Sequence, residues 1–255
     1  MKIEVALVPD QTRAWPGAVC VVIDELRASS TITTLLDLGC RDLYLAGPLA
    51  EARRLARQMD GLLIGERHGR APRGFDASNS PVAVGRMPIK GRHVVLSTTN
   101  GTAILRRHAA MPLTLVGCLL NARACAEAAM AAALVLDLPI GIVCAGIRGR
   151  FALDDAVAAG LIVEDLREAA RARGVAVVLG DAAIAARRLR AAYRDLGAAL
   201  SESESGHLVR AIGEGDDVAF CARVDSSATV PVLQRGDPLR IVALGPAAVP
   251  EALVA

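Results

Sequence analysis

Short apolar, β-branched runs alternate with segments of helical periodicity along almost the whole 255-residue chain. Positions 3–8, 19–24, 42–46, 62–66, 93–98, 113–117, 140–145, 175–179, 218–222 and 239–244 predict strands, because brief apolar runs bounded by polar or glycine-containing stretches suit the interior of a sheet. Positions 30–38, 48–59, 102–108, 122–136, 155–173 and 182–200 carry the apolar spacing of helices. Near-continuous apolar strands alternating with helices predict a three-layer α/β/α fold, a mostly parallel sheet covered by helices on both faces. In such sheets ligands gather beyond the carboxyl ends of the strands, so the polar residues there are the candidates for chemistry.

Two segments interrupt the alternation. Residues 201–206 read Ser-Glu-Ser-Glu-Ser-Gly and suit a linker, dividing a main domain at 1–200 from a C-terminal segment at 201–255 that packs on it; one intertwined domain over 1–255 is the alternative. Residues 67–81 form the other long irregular stretch, and a loop of that length in a compact domain is often functional.

Composition narrows the function classes. Apolar residues make up 53% of the chain, which argues against disorder. No continuous apolar run reaches the ~20 residues of a membrane span, and the N-terminus reads as a first strand instead of a signal peptide. A cytoplasmic protein with no membrane partner is expected. Of six cysteines, Cys20, Cys118, Cys144 and Cys221 lie in apolar, β-like runs, and no CxxC pair occurs, which fits buried thiols in a reducing compartment. A net charge of +2 and 2% aromatic residues supply neither the field nor the stacking platform of a nucleic-acid binder. The helix at 122–136 suits either a core or a subunit interface, so a homo-oligomer stays open.

Four polar segments directly follow predicted strands. Asp24-Glu25-Leu26-Arg27-Ala28-Ser29-Ser30-Thr31 sets a carboxylate at a strand end and hydroxyls at a helix start, with Arg27 able to clamp an anion bidentately. A capped helix with a surface Asp–Arg pair accounts for the same residues. The second segment, from Gly65-Glu66 to Pro81, carries Arg67, Arg70 and Arg73 on a glycine-rich loop, which suits a small polyanion; Asn79-Ser80-Pro81 also suits a helix start. In the third, Ser97-Thr98-Thr99-Asn100-Gly101-Thr102, Asn-Gly favours a hairpin turn, but the residues beyond it do not alternate, so a hydroxyl-rich turn feeding a helix is preferred. The fourth, Cys144 to Asp155, lacks a full GxGxxG pattern, and its Asp154-Asp155 pair suits a helix start or a metal ligand. No Ser-His-Asp elbow, Walker A loop or HExxH motif is present.

Taken together the chain resembles the 2-phosphosulfolactate phosphatase family, enzymes of coenzyme M biosynthesis with bacterial homologues. The likeness rests on Asp24–Thr31 with its Asp-x-x-Arg-Ala-Ser-Ser-Thr pattern, on Gly65-Glu66-Arg67, Gly74-Phe75-Asp76, Asn79-Ser80-Pro81 and the 97–102 turn, and on Asn121, Ala145-Gly146, the 151–155 segment, Ala159-Gly160 and Ser205-Gly206-His207. Glu25 stands where the family more usually has Val, and Asp154 where it has Glu.

The resemblance implies a Mg²⁺-dependent phosphatase acting on the phosphate ester of a small 2-hydroxy acid, 2-phospho-3-sulfolactate being the namesake. Catalytic candidates are Asp24, Arg27, Glu66 and Arg67, with Asp24, Glu66, Asp154 and Asp155 as metal ligands. Substrate-binding candidates are Ser30, Thr31, Asp76, Asn79, Ser80, Thr98, Thr99, Asn100 and Gly101. A haloacid-dehalogenase-type phosphatase is the rival enzyme, weakened because Leu26 stands where a second Asp is needed. A module that binds a phosphorylated or sulfonated metabolite without turning it over is the rival of another class.

Overall fold

A computed structural model describes residues 1–9, 15 and 17–244. Its strands are β1 (Lys2–Ala6), β2 (Val19–Ile23), β3 (Asp42–Leu45), β4 (Leu62–Gly65), β5 (His93–Ser97), β6 (Leu113–Val116), β7 (Ile140–Cys144), β8 (Val178–Leu179), β9 (Pro231–Gln234) and β10 (Arg240–Ala243). The helices are α1 (Ala28–Asp37), α2 (Leu49–Met59), α3 (Pro81–Val84), α4 (Gly101–Arg107), α5 (Ala122–Leu136), α6 (Leu153–Ala172), α7 (Asp181–Ala192), α8 (Leu196–Glu202), α9 (Glu204–Ala211) and α10 (Asp216–Cys221).

All ten strands join one sheet in the order β4-β5-β3-β10-β9-β6-β2-β7-β1-β8. The trio β4-β5-β3 is parallel, as is the block β6-β2-β7-β1-β8. Between them sits the antiparallel hairpin β9–β10, with β10 antiparallel to β3 and β9 antiparallel to β6. The two parallel blocks therefore run in opposite senses. Residues that follow the carboxyl ends of β2 and β7 in one block and of β4 and β5 in the other border a single cavity.

The covering of both faces is written into β2, whose five residues are all buried. Val19, Val21 and Ile23 belong to the core against α5 and α6, while Cys20 and Val22 point into the core that holds Ile32 and Leu35 of α1. Successive strand residues face opposite sides, so a strand apolar at every position must be sandwiched. The long helices α5 and α6 are alanine-rich and lie close together; α6 also packs against α7, where a Cβ at Gly160 would lie 2.2 Å from the Ala186 carbonyl.

The sequence expectations need correction in five places. Residues 218–222 are not a strand: Asp216 and Asp217 open α10 there, acids that suit the positive end of a helix. Strand β9 was not anticipated, and Pro231 at its first position is where a strand tolerates proline. The helix expected over 182–200 breaks into α7 and α8, because Asp195 caps α8 by accepting from the Gly197 N–H at 2.9 Å. The linker expected at 201–206 is the junction of α8 and α9, where buried Ser203 accepts from the Gly206 N–H. Finally, Leu119–Leu136 is long and apolar enough to cross a membrane, but most of it is buried against α6 and the sheet, as a core helix would be.

Candidate functional site

Asp24 follows β2 immediately, and two helices begin at its carboxylate. The Ala28 N–H at the start of α1 donates to Oδ1 at 3.2 Å, and the Gly101 amide at the start of α4 also reaches the carboxylate. A Cβ at Gly101 would meet Asp24 Oδ2 at 2.8 Å and the Ala28 Cβ at 2.5 Å, so glycine is what permits this approach. The Ser29 hydroxyl accepts from the Asp24 N–H and locks the loop. Burial raises the Asp24 carboxyl from 3.8 to about 7 against those amides, and the charges of Asp154 and Glu66 add to the rise.

Opposite it, at the start of α6, Asp154 and Asp155 are both buried. Asp155 is fully engaged: Oδ1 accepts from the Glu25 N–H and Oδ2 from the Gly146 N–H, both at 2.8 Å, which ties the ends of β2 and β7 together. Asp154 is different. Its Oδ1 is buried without a hydrogen-bond partner, and burial lifts its carboxyl to about 6. Glu66, beyond β4, accepts from the Thr99 N–H at 2.6 Å and the Gly69 N–H at 2.8 Å, joining the loops after β4 and β5. Asn79 Oδ1 is a second buried acceptor without a partner. Buried polar atoms are nearly always paired, so two such atoms beside one cavity mark a place shaped for something to bind.

The cavity is about 290 Å³ and is bordered by Asp24, Glu66, Asp154 and Asp155 on the acidic side and by Leu208, Val209 and Ile212 of α9 and its C-terminal end on the apolar side. Asn79, Thr98, Thr99 and Asn100 also line it. Among the described residues, no three His, Cys, Asp or Glu side chains gather as a ready-made metal cage. Mg²⁺ does not require one, because it commonly keeps several waters and binds through one or two carboxylates plus the substrate's phosphate. The hard oxygens of Asp24 and the unpartnered Oδ1 of Asp154 are a donor set of that kind.

Several anticipated residues serve the frame. Arg27 borders the cavity, but its Nη1 is held by Glu214 and Asp217, and Nη2 donates to the Gly69 carbonyl at 2.8 Å. Arg67 lies outside the lining and donates to the carbonyls of Glu66, Gly47 and Ser97. Ser30 donates to the Glu25 carbonyl, and Thr31 is fully buried in α1. Ser80 caps α3 and donates to Asp217, Asp76 accepts from the Leu63 N–H, and Thr98 pairs reciprocally with Thr102 at the start of α4. Gly101 contributes close approach, as its Cβ clearance shows. Glu25 is fully buried and accepts from the Leu119 N–H at 2.9 Å.

Among the lining residues not singled out from sequence are two basic ones, His68 and Arg148. A signal was present: His68-Gly69-Arg70 follows β4 and Arg148-Gly149-Arg150 follows β7, the same basic-Gly-Arg pattern twice.

Comparison with known proteins identifies a family and relatives of this chain. The family described as 2-phosphosulpholactate phosphatase matches residues 6–236. A "Probable 2-phosphosulfolactate phosphatase" of Deinococcus radiodurans is 38% identical over 244 residues, covering 93% of this chain and 95% of that one. Proteins with the same designation from Thermus thermophilus and Thermotoga maritima are 36% and 35% identical, covering 92% and 85% of this chain and 95% and 89% of their own.

Proposed function

Because the chain belongs to the 2-phosphosulpholactate phosphatase family and is thus a phosphoric monoester hydrolase, we propose that it hydrolyses the phosphate ester of a small 2-hydroxy acid with the help of Mg²⁺. 2-Phospho-3-sulfolactate, yielding 3-sulfolactate and phosphate, is the family's namesake reaction. The observation that carries this reading is the pair of unpartnered buried acceptors, Asp154 Oδ1 and Asn79 Oδ1, beside the raised carboxyl of Asp24.

Asp24 and Asp154 would hold the cation, which when bound supplies positive charge for the phosphoryl oxygens and draws both carboxyls into their ionised forms. Asn79, Thr99 and Asn100 orient the ester through their amide and hydroxyl groups. Water attacks phosphorus, the bond to the ester oxygen breaks, and that oxygen leaves with the electron pair and takes up a proton as the 2-hydroxy acid. Catalysis of this kind is mainly positioning and charge stabilisation. Arg27 supports it by holding the Gly69 turn, and the apolar side chains of Leu208, Val209 and Ile212 line the cavity beside the carboxylates.

The test is phosphate release from 2-phospholactate across a Mg²⁺ titration, with EDTA as control. Turnover that rises with Mg²⁺, vanishes with EDTA and falls at least 100-fold in Asp154→Asn supports the reading. Undiminished turnover in EDTA, or none at any Mg²⁺ concentration, overturns it.

A further inference from the structure

Two tight turns flank the cavity and are built alike. In one, Arg67 and Arg70 exchange backbone hydrogen bonds of 3.0 and 3.2 Å around His68 and Gly69; in the other, Ile147 and Arg150 exchange bonds of 3.0 and 2.9 Å around Arg148 and Gly149. Both central residues of each turn have positive φ, 56° and 80° in the first and 53° and 76° in the second, the pattern of a type I′ turn. Glycine adopts this freely, and histidine is among the few other residues enriched there, but arginine is not. Each turn is also tethered: the first through Gly69 to Arg27 and Glu66, the second through Arg150 to Glu204 of α9.

Their side chains, His68 and Arg148, both line the cavity. Of the basic residues that line it, Arg27 is neutralised by Glu214 and Asp217, whereas His68 and Arg148 are exposed and bond to no described residue. A cation held by the carboxylates would recruit the phosphate. A second negative group on the same small molecule would be repelled there and needs a positive partner elsewhere.

We infer that Arg148, with His68 of the other turn, holds the carboxylate or sulfonate of the substrate and so favours phosphate esters that carry a second anion over those that do not. This deepens the proposed phosphatase reading and rests on it. The guanidinium offers a planar fork to either anion, and the imidazole offers an N–H donor in either charge state. The apolar wall of Leu208, Val209 and Ile212 takes the short carbon skeleton between the two anions.

The experiment compares 2-phospholactate with isopropyl phosphate, the same ester with a methyl group in place of the carboxylate, in the wild type and in Arg148→Asn and Arg148→Lys. Asparagine tolerates the left-handed turn, so the first variant removes charge without breaking the loop. Expected is a KM for phospholactate raised about 10- to 100-fold in Arg148→Asn, with kcat nearly kept, isopropyl phosphate unaffected, and partial recovery in Arg148→Lys. An unchanged KM, or an equal loss on both esters, overturns the inference while leaving the phosphatase reading intact. A wild type that hydrolyses neither ester with Mg²⁺ present overturns both.

Discussion

The Arg27 guanidinium donates to the Asp217 carboxylate across 2.7 Å, and these side chains are only 3% and 1% exposed. The pair fastens the loop after β2 to α10, and the same carboxylate accepts from Ser80 at the start of α3. A residue expected from sequence to clamp phosphate is thereby a clamp within the fold, beside the cavity it was expected to serve.

Removing one partner of a buried ion pair strands the other charge. Arg27→Ala should therefore destabilise the protein by about 3–5 kcal/mol, read as a lower urea midpoint at unchanged slope. Arg27→Lys should recover little of this, since one ammonium cannot reach Glu214, Asp217 and the Gly69 carbonyl as the fork does. A small loss in Arg27→Ala would show that the network contributes little.

Asp24 predicts an unusual pH dependence. Its carboxyl is raised to about 7 in the folded protein, so the folded state holds this proton more tightly than the unfolded chain. That contribution to stability is complete below the unfolded value of 3.8 and is lost as the pH rises through about 7. In EDTA the melting temperature should rise as the pH is lowered from 8 to 6. Asp24→Asn should make that slope shallower, the remainder coming from the other raised carboxyls of Glu25, Asp154 and Asp155, and should abolish turnover. A wild-type melting temperature that is flat or falls over this range contradicts the assignment.

Two glycines separate close approach at the site from close approach in the core. Gly101→Ala would force a Cβ into Ala28 and Asp24; turnover per folded molecule should fall at least tenfold, with about 1–3 kcal/mol of stability lost. Gly160→Ala would press α6 off α7 through the Ala186 carbonyl, lowering stability by a similar amount with turnover per folded molecule retained. Thermal melts paired with initial rates distinguish the two.

Glu25 should tolerate only an isostere. Burial pushes its carboxyl well above the usual range, so a neutral amide reproduces its working form. Glu25→Gln should stay within about 1 kcal/mol of wild type, whereas Glu25→Ala leaves a cavity and an unpaired Leu119 N–H, costing about 2–4 kcal/mol. Chemical denaturation at pH 7 measures both.

The parts of the fold governed by local pattern could be read from sequence. The fully apolar β2 can only lie inside a sandwich, and the Asn100-Gly101 segment opens a helix, as the lack of alternation after it indicated. Residues 218–222 misled because Val218, Phe220 and Cys221 suit either a buried strand or a short helix; the acidic pair before them was the better guide. At the site, sequence identified Asp24, Glu66, Asn79, Thr98, Thr99, Asn100, Asp154 and Asp155, all of which reach the cavity. It could not say which arginines face a ligand. Arg27 and Arg67 are occupied by carboxylates and carbonyls brought near only by tertiary packing, while Arg148 stays free because no acid was placed beside it.

The hairpin β9–β10 has a consequence for how the molecule is made. Arg240 pairs with Tyr44 and Val232 with Leu115, so the two parallel blocks are stitched together by nearly the last described residues of the chain. On the ribosome each block can collapse early, but the seam between them stays unsewn until residues 231–243 have been made, leaving the facing edges of β3 and β6 open to mispairing. The candidate cavity, bordered by strands of both blocks, is consequently assembled only after that hairpin.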